Sequence, residues 1–260
     1  MNIHVKECGD LEAPLLVFLH GGGVSGWMWS NQVDYFHHYH CIVPDLPHHG
    51  LSGRETSFTI LNSAEALIRL IEKKAQGRDV IVIGFSLGAQ ILLQMISINP
   101  RLITKAIVNS ALVRPIPIPE KLLELSVKST FPLIKSRWFS RLQAKTLYID
   151  DDLFETYYRE SCQMTQDSLT QILKENVSFR LPENVHEIST RILTTVGAKE
   201  KRIMKTSATM ITHAHPNSTG IIIPSVGHGI PLAKPDQFNQ LVDQWLKEER
   251  LPHDVGLIEK

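Results

Sequence analysis

The sequence lacks an excess of charge of either sign. Lys and Arg together number 27, Asp and Glu also number 27, and the formal net charge at pH 7 is zero. A protein that binds nucleic acid or an anionic membrane usually carries a basic excess. The balance therefore argues against nucleic acid and membrane partners and favours a small-molecule substrate. It indicates nothing about the oligomeric state.

Cysteine is scarce and long hydrophobic runs are absent. Cys8, Cys41 and Cys162 form no Cys-x-x-Cys pair, which argues against a disulfide framework and a zinc site. The 12 histidines lack the His-Glu-x-x-His spacing, so we expect no metal and no cofactor. The N-terminus has no apolar signal region, and no uncharged apolar stretch reaches the roughly 18 residues that span a bilayer. These absences predict a cytoplasmic protein.

Short runs rich in Val and Ile alternate with segments of helical period over most of the 260 residues. This alternation is typical of an α/β fold, with a mostly parallel central sheet and helices on both faces. The strands are predicted at Ile3–Glu7, Leu15–Leu19, Cys41–Pro44, Val80–Ile83, Ala106–Asn109, Arg191–Val196 and Gly220–Ile223. The helices are predicted at Leu61–Lys74, Leu87–Ile98, Lys201–Ile211 and Pro235–Glu249. In the first of them one face is predicted to be apolar, because Leu61, Ala64, Leu67, Ile68 and Ile71 recur three or four positions apart. The C-terminal Leu251–Lys260 is expected to be a loosely held tail.

The alternation stops between Val113 and Val185, where three prolines are followed by four predicted short helices. We interpret residues 113–185 as a helical cap inserted between the two parts of one core domain, residues 1–112 and 186–260. The predicted helices are Leu122–Val127, Phe131–Leu142, Leu153–Thr165 and Leu169–Asn176. Aromatic residues mixed with charge suit a cap that covers a pocket, although each can also pack the helices together. These aromatics are Phe131, Trp138, Phe139, Phe154, Tyr157 and Tyr158.

The clearest chemical signal is Gly84-Phe85-Ser86-Leu87-Gly88, which lies between a predicted strand and a predicted helix. A Gly-x-Ser-x-Gly turn in this position is a nucleophile elbow, which exposes the serine at the carboxyl end of the strand. Glycine is needed because the sharp turn brings neighbouring backbones together and leaves no room for a Cβ. The pattern predicts Ser86 as a nucleophile.

A serine hydroxyl needs a general base and an acid that orients the base. His228 follows a predicted strand and lies between two glycines, so a loop can place it at the same sheet edge as Ser86. Glu200 is the first acid after the preceding strand, in the chain order serine, acid, histidine. The position after the strand ending at Asn109 offers no carboxylate. Glu200 is therefore our predicted acid and His228 our predicted base.

The reaction of an activated serine also needs amide donors for the oxyanion. One predicted donor is the amide of Leu87, which follows the nucleophile at a helix start. The other is the amide of Gly22, with Gly23 as a second choice, in the loop His20–Gly23. The glycines of this loop lack the Lys-Ser/Thr ending of a phosphate-binding P-loop.

Together these segments resemble the α/β-hydrolase fold superfamily over nearly the whole chain outside the predicted cap. The matching motifs include Leu19-His20-Gly21-Gly22, Pro44–Ser52, Gly84–Gly88, Val196–Glu200 and Gly227-His228. The resemblance implies that Ser86, Glu200 and His228 act as nucleophile, acid and base. It implies Gly22 and Leu87 as oxyanion donors.

Two positions depart from the usual pattern of this superfamily. Glu200 stands where Asp is usual, so its loop has to sit further back or the acid role moves elsewhere. His48 replaces the first glycine of a Pro-Gly-His-Gly turn, which predicts a changed backbone or pocket entrance. A serine in the elbow disfavours the haloalkane dehalogenase and epoxide hydrolase branches, whose elbows carry Asp.

The leading hypothesis is a carboxylesterase-like serine hydrolase that cleaves an ester or related acyl bond of a small, partly apolar molecule. A hydrolase or lyase acting on a carbon–carbon bond uses the same three residues, so the sequence leaves that alternative open. A binding module that retains the fold without catalysis is the third hypothesis. The intact serine elbow argues against this last one.

Overall fold

A central sheet organises the protein, which we describe from a computed structural model covering residues 2–248, 251–252 and 255–260. Within these residues eight strands lie in the order β1-β3-β2-β4-β5-β6-β7-β8. The edge strands β1 and β8 pair antiparallel and the others pair parallel, which confirms the predicted mostly parallel sheet. The strands are β1 Val5–Gly9, β2 Leu15–Leu19, β3 His40–Pro44, β4 Val80–Phe85, β5 Lys105–Asn109, β6 Arg191–Gly197, β7 Ser218–Ile223 and β8 Gly256–Ile258.

Helices cover both faces of this sheet. Those of the two core parts are α1 Ser30–Tyr35, α2 Ile60–Ala75, α3 Leu87–Ile98, α8 Arg202–Ala214, α9 Ile230–Ala233 and α10 Pro235–Glu248. The last residue of the predicted C-terminal helix, Glu249, lies outside the described residues. Within the described residues, no helix is both long enough and hydrophobic enough to span a bilayer.

The core forms two layers because side chains alternate along a strand. On β2, Leu15, Val17 and Leu19 pack toward α2 and α3. The intervening Leu16 and Phe18 pack on the opposite face, against Trp29 and Phe238. Every residue of β2 is buried, as expected for an inner strand of a parallel sheet.

The apolar face of α2 differs from the predicted one at the start of the helix. The hydroxyl of Thr59 accepts a hydrogen bond from the amide of Asn62 and caps the helix start. Ile60 is buried instead of Leu61, which is 49% exposed, so the assignment of Leu61 to the apolar face was wrong. The remaining predicted positions on that face are buried.

Four helices lie between β5 and β6, in the segment predicted as a cap. They are α4 Glu120–Ile134, α5 Arg137–Thr146, α6 Asp151–Gln163 and α7 Gln166–Ser178. The prediction of one helix over Phe131–Leu142 was wrong, because α4 continues through Pro132 to Ile134 and a separate helix, α5, begins at Arg137. Helix α7 contacts the core directly: Gln171 and Glu175 accept hydrogen bonds from the amides of Phe58 and Ile60. The domain limits at residues 112 and 185 stay a prediction.

The C-terminal segment after α10 was expected to be loosely held from residue 251 onward. Instead, Gly256–Ile258 forms β8 and pairs antiparallel with β7. The side chain of Lys260 also donates a hydrogen bond to the carbonyl of Pro216. The expectation was therefore wrong for residues 256–260.

Candidate active site

Ser86 lies at the turn between β4 and α3 with φ 53° and ψ −111°, outside the regions that non-glycine residues usually occupy. Its amide donates to the carbonyl of Asn109 at 2.9 Å, which ties the turn to β5. A Cβ on Gly84 would lie 2.7 Å from the carbonyl oxygen of Gly88. This crowding confirms why the turn needs glycine, and it leaves Ser86 partly exposed at the sheet edge.

The structure brings Glu200 and His228 together at the same edge. Two backbone hydrogen bonds join the loops after β6 and β7: Ala198 N–H donates to Ile223 O at 2.8 Å, and Lys199 N–H to Val226 O at 2.9 Å. The Nδ1–H of His228 donates to Oε2 of Glu200 at 2.8 Å. The imidazole also packs against the ring of Phe85, the residue before Ser86, with 4.9 Å between ring centroids.

The loop after β2 holds Gly22 beside the elbow. A Cβ on Gly22 would be 3.6 Å from the side chain of Leu87, so the two predicted oxyanion donors are neighbours. Leu87 is the first residue of α3, where an amide has no partner within the helix. The loop that carries Gly22 and the first turn of α3, the two predicted sources of oxyanion donors, therefore lie next to Ser86.

His20 fixes this loop, a role that was not predicted from the sequence. Its Nδ1–H donates to the carbonyl of Gly21 at 2.7 Å, and its Nε2 accepts the amide of Leu46 at 2.8 Å. Burial lowers the pKa of His20 to about 4, so the ring is neutral at physiological pH. A buried residue with both nitrogens bonded to backbone is a structural brace for the loop.

Residues 16–241 match the family model described as the alpha/beta hydrolase family. The chain belongs to this family. The match extends from β2 into α10 and includes every site residue described above.

Relatives of this alpha/beta hydrolase are distant in sequence. It is 24% identical over 254 residues to the (E)-2-((N-methylformamido)methylene)succinate hydrolase of Acinetobacter baylyi, with 94% of each chain covered. An AB hydrolase superfamily protein of Gibberella zeae is 31% identical over 96 residues, a match covering 36% of this chain and only 34% of that protein.

Two solved structures show the same fold. MenH from S. aureus superposes with a TM-score of 0.73 at 21% identity, covering 96% of this chain and 99% of that one. The enol-lactonase from Burkholderia xenovorans LB400 gives a TM-score of 0.79 at 15% identity, covering 95% and 96%. At these identities the likeness concerns the fold of this alpha/beta hydrolase and not its substrate.

The carboxylate of Glu200 is buried, and both of its oxygens accept hydrogen bonds. Its Oε1 accepts from the hydroxyl of Ser110 at 2.7 Å and the amide of Gly197 at 2.8 Å, while Oε2 accepts from His228. Burial raises the pKa of Glu200, but the hydrogen bond and charge of His228 and the other donors outweigh it, so the pKa is lowered overall. Glu200 is therefore ionised at neutral pH.

Replacing Glu200 by glutamine is expected to destabilise this hydrolase most at neutral pH. Because the folded-state pKa is below the usual 4.5, the carboxylate stabilises the fold above that value and loses this effect as pH falls through the lowered pKa. We expect the free energy of unfolding of Glu200→Gln to be about 1–3 kcal/mol below that of the wild type near pH 7, and this difference to be smaller at about pH 4. Urea unfolding of both proteins at the two pH values measures it.

The control for this comparison is Glu12→Gln, because Glu12 is exposed near the turn between β1 and β2. That variant should match the wild type at both pH values. A Glu200→Gln deficit that stays constant or grows in acid would contradict the ionised, hydrogen-bonded carboxylate.

His48 shows what the departure from glycine does in this hydrolase. It adopts φ 66°, the left-handed conformation that glycine adopts readily, so the turn keeps its positive φ. Its ring bridges two segments, since Nε2–H donates to Thr56 O at 2.6 Å and Nδ1 accepts from the hydroxyl of Ser168 at 2.9 Å. The histidine thus bonds the core to α7.

A pocket of about 340 Å³ opens at Ser86, between the core and the inserted helices. Its apolar lining comes from Leu87, Leu147, Met164, Leu169, Ile172 and Leu173. Its polar lining comes from Gln143, Thr146, Tyr157 and Asn176 together with the Gly22-Gly23 backbone. Of the six aromatic residues that the sequence offered either as pocket lining or as packing between the cap helices, Tyr157 alone lines this pocket in the described part of the chain, and Trp138 is 74% exposed.

Proposed function

We propose that this alpha/beta hydrolase is a serine hydrolase that cleaves a carboxylic ester or related acyl bond of a small, partly apolar and uncharged molecule. The observation that carries the proposal is the hydrogen bond between Glu200 and His228 beside the strained turn of Ser86. A partly exposed serine hydroxyl, a buried carboxylate and an imidazole, in this chain order, are the parts of an acyl-transfer site.

In the proposed reaction Ser86 Oγ attacks the acyl carbon and its proton passes to Nε2 of His228. Glu200 holds the ring through Nδ1 and balances the charge that the ring gains. The amides of Gly22 and Leu87 stabilise the tetrahedral oxyanion. His228 then returns the proton to the leaving alkoxide, and an acyl group remains on Ser86. Water, deprotonated by His228, releases the acid in the same way.

The lining of the pocket supports an uncharged substrate. Within the described residues no Lys, Arg, His, Asp or Glu side chain lines the pocket at Ser86. A carboxylate placed there would lose its hydration without gaining a cationic partner, which costs several kcal/mol. Arg54 and Glu160 line an adjoining cavity of about 100 Å³, which shares Gly23, Gln143, Tyr157, Met164 and Leu169 with this pocket.

A matched pair of esters tests the proposal. We expect p-nitrophenyl butyrate to be hydrolysed with a kcat/KM at least about 10-fold above that of p-nitrophenyl hemisuccinate, which adds one carboxylate at similar length. Release of p-nitrophenol at constant ionic strength measures both. Equal rates, or preference for the hemisuccinate, would contradict an uncharged substrate.

The carbon–carbon alternative is favoured by one comparison. A putative 2-succinyl-6-hydroxy-2,4-cyclohexadiene-1-carboxylate synthase of Haemophilus influenzae is 31% identical over 78 residues. The name of that relative describes a carboxylated compound, and the uncharged lining of the pocket at Ser86 argues against such a substrate. Cleavage of ring-cleavage dienones without ester hydrolysis would support the alternative. Failure of both substrate classes and of a fluorophosphonate probe would support the binding module.

A further inference from the structure

The dipeptide Asn109-Ser110 ends β5 and contacts two of the proposed catalytic residues. The carbonyl of Asn109 accepts the amide of Ser86 at 2.9 Å. The hydroxyl of the next residue, Ser110, donates to Oε1 of Glu200 at 2.7 Å. Two consecutive residues therefore connect the nucleophile turn to the acid, although the sequence showed only that position 110 lacks a carboxylate.

Ser110 is held firmly in this position. It is 3% exposed, and its amide donates to the carbonyl of Thr195 at 2.9 Å. Its φ is 55°, in the left-handed region that a serine adopts only at a cost in free energy. The neighbouring Asn109 side chain is also fixed, since its amide donates to the hydroxyl of Thr195 at 2.6 Å.

The two oxygens of Glu200 have separate partners. Oε1 receives the Ser110 hydroxyl and the Gly197 amide, and Oε2 receives Nδ1–H of His228. Donors from two different loops on Oε1 set the rotation of the carboxylate, which leaves Oε2 directed at the imidazole. Without the hydroxyl, one backbone amide would hold Oε1 alone.

We propose that Ser110 is a positioning residue that orients the Glu200 carboxylate toward His228 during catalysis. This inference rests on the proposed function. The hydroxyl does not touch the substrate, and it acts through Glu200 alone. Its loss lets the carboxylate rotate, which weakens the orientation of the imidazole that the proton transfer requires.

Ser110→Gly separates this role from a merely structural one. Glycine adopts φ 55° without strain, which offsets part of the stability lost with the buried hydrogen bond, so the variant should still fold while it loses the hydroxyl. We expect kcat on p-nitrophenyl butyrate to fall about 10-fold with KM changed less than about two-fold. Fewer donors also raise the pKa of Glu200 toward its usual value, so the pH profile of the unfolding free energy shifts, and the stability that the carboxylate contributes is lost at a higher pH on acidification.

Two further variants complete the test. Gln76→Gly is the matched control, because Gln76 has φ 49° at the exposed end of α2, before the amino end of β4, whereas Ser86 follows the carboxyl end of that strand. It should leave kcat and the pH profile unchanged. Ser110→Thr keeps the hydroxyl but strains the backbone, so we expect lower stability with kcat within about three-fold of the wild type.

The outcome for Ser110 is distinguishable from that for the proposed function. The proton resonance of His228 Nδ1–H, measured without substrate, should shift or broaden in Ser110→Gly and stay in place in Gln76→Gly. Unchanged kcat, pH profile and resonance in Ser110→Gly would overturn the positioning role. A wild type that hydrolyses no ester, with the resonance still shifted in Ser110→Gly, would instead count against the proposed reaction.

Discussion

Replacing Ser86 by alanine is expected to lower ester turnover by a factor on the order of 10³ or more. Alanine removes the attacking hydroxyl and nothing else, since both residues carry a Cβ at the same strained φ of 53°. The backbone hydrogen bonds of the turn are unaffected, because the amide of Ser86 still donates to Asn109 O and the amide of Gln90 still donates to Ser86 O. The fold and the unfolding midpoint should therefore stay close to those of the wild type.

Steady-state hydrolysis of p-nitrophenyl butyrate and labelling by a fluorophosphonate probe measure this effect. Ser225→Ala is the matched control, because Ser225 also has a positive φ, 61°, and its side chain is exposed. The control should retain full activity and labelling. A Ser86→Ala protein that the probe labels as well as the wild type would remove Ser86 from the nucleophile role.

Replacing Gly88 by alanine is expected to cost more than about 4 kcal/mol of unfolding free energy, or to prevent folding. A Cβ at this position would lie 2.6 Å from the carbonyl oxygen of His20 and still closer to that of Leu19. Both obstacles are backbone atoms at the end of β2, so no side chain can turn away. Either α3 or the loop that carries Gly22 has to move.

Urea unfolding and the yield of soluble protein test this expectation. Gly77→Ala is the comparison, because Gly77 has φ 83° but no neighbouring atom within 4 Å of a built Cβ. That variant should lose only about 1–2 kcal/mol through backbone strain. If Gly88→Ala were as stable as Gly77→Ala, that result would contradict the close packing of Gly88 against the backbone of Leu19 and His20.

The inner sheet and the elbow were predictable because local sequence determines them. Strands buried on both faces are continuous runs of Val, Ile and Leu, and β2 and β4 are such runs. The Gly-x-Ser-x-Gly turn is a local motif: Gly84 is required by contacts with the backbone of Gly88 and Ala89, although Gly88 is required by its close approach to the end of β2. The choice of Glu200 and His228 followed from two rules: the chain order serine, acid, histidine, and the position of loops after parallel strands at one sheet edge.

Features outside the inner sheet were predicted less well because they depend on contacts with segments that are distant in the sequence. The break between α4 and α5 and the exposure of Leu61 depend on which surface each helix covers. Strand β8 is three residues long and gains its structure only by pairing with β7. Nothing in the sequence around Gly256 indicates that partner.

The sequence by itself determined the layered fold, the position of Ser86 on its turn and the identity of the candidate acid and base. Only the tertiary structure decided that Ser110 bonds Glu200, that His48 bonds α7 and that the pocket lining carries no charge. The physical reason is the range of the forces involved. Turn geometry and strand burial are set within a few residues, whereas a hydrogen bond between residues 90 positions apart exists only after the sheet has formed.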